Sequence, residues 1–113
     1  MPNETISDRM SFYTEPKSYQ KTALSDLQGA WENLRVALVE ADTVEDRDRL
    51  LFHVDEAMSW ESVRNLDQMR STLVLIRNIA MQSKVPNEIV EWIEIVQEDL
   101  EEVFLAIAEG EKL

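Results

Sequence analysis

Cysteine is absent from the 113 residues, glycine occurs twice and proline three times. Without cysteine there is no disulfide framework, no thiol nucleophile and no thiolate metal site. That fits a reducing compartment, and a cytoplasmic location is the expectation. So few glycines and prolines leave few breaks for a many-stranded fold. Leu, Glu, Ala, Arg and Met, the good helix formers, are plentiful instead. Long apolar runs are missing too: LVLI at 73–76 is far short of the ~20 residues that cross a bilayer. The opening MPNETISDRM has no basic head followed by an apolar segment, so no secretory signal is expected. Basic residues are scarce, with 11 Lys and Arg against 23 Asp and Glu, a net charge of −12. That balance disfavours nucleic acid and anionic membrane, which need a basic footprint. It suits a basic protein partner.

What is present is helical periodicity. Residues 1–13 show neither helix nor strand period despite Ile6, Met10, Phe12 and Tyr13, and read as an irregular arm. From there residues 14–113 read as one helical domain. Thr14 is placed as an N-cap, with Pro16 in the first turn, where its missing N–H costs nothing. Leu24, Leu27, Trp31, Leu34, Leu38 and Ala41 then recur at spacings of 3 and 4, predicting a first helix over about 15–41. Ala23, Ala30 and Ala37 flank that seam at heptad intervals, small enough to let a neighbouring helix come close. The stretch ADTVEDRD at 41–48 breaks the pattern, and Asp42 with Glu45, or Thr43 with Asp46, reads as a capping box.

The second helix is expected to turn Val44, Leu51, Val54 and Met58 inward, with Leu50 and Ala57 beside them. The third carries the seam Leu66, Met69, Leu73, Ile76 and Ala80, one residue out of phase with the second. That slip, about 100° of rotation, predicts a break or bend around 58–62, with one long curved helix as the alternative since no Gly or Pro stands there. Val74, Leu75, Ile79 and Met81 lie off the third seam, so this helix is expected to be central, buried by more than one neighbour. Arg70, Arg77 and Lys84 form its one basic edge, which is expected to pair within the molecule. SKVPNEI ends it, and Ile89, Ile93, Val96, Leu100, Val103 and Ile107 carry a fourth helix over about 87–109, stopped at Gly110. The fold class is therefore all-α: an antiparallel bundle of three long helices and one shorter one, joined by short loops.

The chemistry to be explained sits in EIVEWIEIVQEDLEEV, residues 88–103, with seven carboxylates in sixteen positions. Relative to the last seam, Glu91, Glu94, Glu98 and Glu101 fall on the back as an outward stripe, with Glu102 and Glu109 near it. A solvated helix face explains such a stripe, since like charges at these spacings repel by only a few tenths of a kcal/mol per pair. Yet a solvated face usually mixes signs, and no Lys or Arg occurs between Val85 and Glu111. Apolar groups also share the region: Ile95 and Leu105 outward, Trp92 and Phe104 on the shoulders. Glu91, Trp92, Glu94, Ile95, Glu98, Glu101 and Leu105 are thus the candidate partner-binding residues, for a basic or amphipathic protein or a second copy of the chain.

Other chemistries fit less well. Di-metal carboxylate bundles use inward Glu residues and Glu-x-x-His pairs, and no Glu-x-x-His exists here. All-α nucleotide pyrophosphatases place Glu-x-x-Glu upstream of Glu-x-x-Asp to hold magnesium. EWIE at 91–94 matches the first element, but EDRD at 45–48 precedes it. His53 has Glu56 and Ala57 where histidine phosphotransfer bundles carry Lys and Gly, and an acidic neighbour repels phosphate. Seven carboxylates over sixteen helical residues give one charge per ~3.4 Å of axis, half the density of duplex DNA. The expectation is a non-catalytic, acidic, self-associating bundle that binds a protein and needs no cofactor. A small carboxylate–magnesium enzyme and an acidic mimic of nucleic acid are its two rivals.

Overall fold

A computed structural model describes residues 15–112, with side chains from 22 to 110. The expected arm at 1–13 and the cap at Thr14 lie outside the described residues. Four helices and no strand are found among them: α1 Glu15–Glu40, α2 Arg47–Ser62, α3 Leu66–Ser83 and α4 Asn87–Lys112. Short connections reverse the chain three times, giving an antiparallel bundle in which each helix packs on its chain neighbours and α4 closes the ring on α1.

The most extensive packing is between α1 and α4, the two 26-residue helices. The alanine flank explains this. Ala23, Ala30 and Ala37 are all buried, so the α1 backbone approaches α4 without large side chains between them. The α1 seam fills the interior with Leu27, Trp31, Leu34 and Leu38, each at most 1% exposed. From α4, Ile89, Ile93, Val96, Leu100 and Val103 meet it. Full burial of a side chain of this kind is worth about 1.5–3 kcal/mol. Trp31 crosses the core to the opposite helix, its indole Nε1 donating to Met69 Sδ at 3.4 Å.

Five sequence expectations need correction. The inward set of α2 is Leu50, Val54 and Ala57, whereas Val44, Leu51 and Met58 are half-buried. The helix is rotated toward the cleft between α1 and α3, and small Ala57 allows the close approach. The N-cap of α2 is Asp46, and its side chain makes no cap bond. It accepts instead from the Ser83 hydroxyl at the end of α3. The break between α2 and α3 falls at 63–65, later than the expected 58–62. Arg64 turns it with a left-handed φ of 59°, and Asn65 Oδ1 then caps α3 by accepting from the Gln68 N–H at 3.2 Å. Gly110 does not stop α4, which runs through it to Lys112.

Nor is α3 central. It is buried along one side only, leaving Val74 and Met81 55% and 61% exposed, and its contact with α4 is the sparsest around the ring. A groove therefore opens between α3 and α4.

Candidate functional site

The predicted surface is borne on α4, whose sequence orients it. Aliphatic residues at 3- and 4-residue spacing fix one side of the helix against α1 and α3. At 100° per residue the intervening glutamates are then forced outward. Glu91, Glu94, Glu98, Glu101, Glu102 and Glu109 are all exposed. Ile95 and Leu105 stand among them, 37% and 56% exposed. The ridge of mixed carboxylate and apolar groups expected from the sequence is thus laid out along the helix.

The seven candidate residues do not share a single aspect. Glu91, Glu98 and Leu105 crown the helix. Trp92 and Ile95 lean toward α1, where with Ser25, Asp26, Gly29, Asn33 and Asp99 they line a shallow, open depression. Trp92 is half-buried there, and Gly29 leaves open space where a side chain could have stood. Glu94 and Glu101 lean the other way, toward α3, and line the groove containing Arg70 and Arg77.

Asp26 and Asp99 were not singled out by sequence. They come from different helices, and their approach depends on the α1–α4 register. Partial burial, and then the charges of Asp26, Glu98 and Glu102, push the Asp99 carboxyl above the usual aspartate range. Among the described residues lining the depression, α1 contributes one carboxylate, Asp26.

The basic edge of α3 behaves differently from expectation. Arg70 lies over the Phe104 ring, 4.0 Å from its centroid, a cation–π contact that joins α3 to α4. The ion pairs among the described residues lie elsewhere, Arg35 with Asp55 at 2.7 Å and Arg47 with Asp48. The hydrogen bond to Asp55, and then the charge of that carboxylate, raise the Arg35 pKa above its ordinary value. Between two exposed side chains the pair adds little stability.

Among the described residues no three His, Asp or Glu side chains converge where a metal ion could be held. His53 is half-buried, with Nδ1 3.0 Å from Glu56 Oε1 and its ring edge-on to Phe52. Trp31 is in the core as expected. Trp60 is only half-buried, and its indole Nε1 has no hydrogen-bond partner. No helix among the described residues is long and apolar enough to cross a membrane. No family model matches the chain, and no curated protein or solved structure is significantly similar to it.

Proposed function

We propose that this acidic bundle is a non-catalytic protein-binding module, an adaptor, inhibitor or regulatory subunit, that also associates with itself. One observation carries the reading: Ile95 and Leu105 are exposed on the stretch of α4 from Glu88 to Glu109, in which every charged residue is acidic. Apolar groups ringed by charge of one sign suit a partner helix with an apolar stripe and basic flanks, because desolvating the aliphatics adds affinity while the carboxylates select and orient the cation-bearing partner. The fanned arrangement of the glutamates favours contact with an extended surface over enclosure of a small substrate. Self-association draws on a second apolar feature, Val74 and Met81 beside the α3–α4 groove.

The test uses the chain and a Glu91→Lys, Glu94→Lys, Glu98→Lys variant side by side as bait in lysate of the native host. All three positions are exposed, so the variant should keep its helical circular dichroism. A protein retained by the parent chain and lost by the variant supports the reading. Equal recovery of every partner by the two baits would sink it.

A further inference from the structure

We infer that the groove between α3 and α4 seats a second copy of this chain, in a twofold dimer whose axis runs along the helices. The inference rests on the self-association proposed above and specifies its face and geometry. The groove has an apolar floor, including Leu73 and Leu100, in a cavity of about 290 Å³. On its α3 lip, Val74 and Met81 stand seven residues apart and more than half exposed. Large apolar groups at heptad spacing beside an open interhelical groove are what one helix offers another as knobs.

The rims carry opposite charge. Arg70 and Arg77 line the groove from α3, Glu94 and Glu101 from α4, and Arg77 is shared by both stretches of it. None of the ion pairs among the described residues spans the gap. Arg77, Glu94 and Glu101 are therefore open to a partner of the opposite sign, while Arg70 rests on the Phe104 ring with no carboxylate paired to it.

One basic rim and one acidic rim make a surface that complements itself. In an isologous contact the same patch meets its own copy. An axis parallel to the helices lays α3 of each protomer over α4 of the other at the same level. Arg77 then faces the partner's Glu94, and Arg70 faces the partner's Glu101. An axis perpendicular to the helices sets arginine against arginine and glutamate against glutamate, and repulsion rejects it. Two chains of net charge −12 repel in most orientations, so the face holding the basic edge of α3 is where they can meet. Its size, about 27 Å of α3 by two helix widths, lies at the low end of specific interfaces and fits micromolar association.

Sedimentation equilibrium or light scattering on the full chain tests this. The parent chain should approach the dimer mass by roughly 100 µM. Arg70→Glu with Arg77→Glu should give a monomer, as should Glu94→Arg with Glu101→Arg. Mixed in equal amounts, these two variants should form a heterodimer, because every rim then meets its opposite. Adding Val74→Asp to both should abolish it. A monomeric parent chain at that concentration assigns the groove to some other occupant and overturns the inference. So does a mixture that stays monomeric, or an arginine-reversed variant that still dimerises. Glu94 belongs to both surfaces, so the two readings are separated by the arginine-reversed variant, which leaves the outer α4 ridge intact: it should lose the dimer and still retain any partner captured through Glu91 and Glu98.

Discussion

At the residue scale, two positions on the α1–α4 depression each cost the fold some stability, for different reasons. Asp99 is partly desolvated among like charges, so the folded chain holds its proton more readily than the unfolded chain does. The sign follows from linkage: the folded state binds more protons, and stability falls as pH rises through the interval just above the ordinary aspartate value. Asp99→Asn should therefore melt at a higher temperature than the parent chain at pH 7. The difference should shrink toward pH ~4, where the native carboxyl is increasingly protonated. Equal melting at pH 7 would refute the assignment. Gly29 has no heavy atom within 4 Å of the position a Cβ would take. Gly29→Ala should add about 0.5–1 kcal/mol by chemical denaturation, since glycine within a helix costs that much against alanine. A loss of stability would mean that the site is less open than described.

At the scale of elements, the sequence was most informative where a helix has a single apolar side. The ridges of α1 and α4 were readable because Leu27, Trp31, Leu34 and Leu38, and Ile89 to Val103, each line one interior. The alanine flank signalled a close helix neighbour without saying which, and the most extensive packing is that of α1 on α4. Residues facing two neighbours at once were harder to place. In α2, Leu50 and Leu51 are equally apolar, and only the positions of α1 and α3 decide which of them is buried. The α2–α3 break was signalled by the slip in phase, but its position was hidden because an arginine makes the left-handed turn that glycine usually makes. Lys84 does the same at the end of α3, with φ 54° and its N–H bonded to Ala80 O. Both side chains carry the steric cost of that conformation. Arg64→Gly should accordingly raise the denaturation midpoint, by about 1 kcal/mol in free energy, with unchanged slope. A lower midpoint would show that Arg64 makes a contribution larger than its strain. Of the candidate site, the outward ridge was legible from spacing alone. The approach of Asp26 to Asp99 and the α3–α4 groove were not, because both depend on how far apart two helices sit.

At the scale of the whole molecule, charge and shape act together. A net charge of −12 on 113 residues makes chance association with other acidic proteins unfavourable. On the reading proposed above, specific contact draws on the outer ridge of α4, where cations would be favoured, or on the basic edge of α3. These two surfaces adjoin across Glu94 and Glu101, so occupation of one bears on the other. A basic partner held on the ridge would compete with a second copy for those two carboxylates.

The antiparallel pairing of α1 and α4 has a topological consequence. Asp26, near the middle of α1, lies close to Asp99, near the middle of α4, so the start of one helix is level with the end of the other. Joining the end of α4 back to the start of α1 therefore demands no long span, and the chain can be cut anew between Glu40 and Arg47. Such a circular permutant should unfold in one cooperative step near the temperature of the parent chain, whereas a broad, gradual melt would show that the native order of the helices is indispensable.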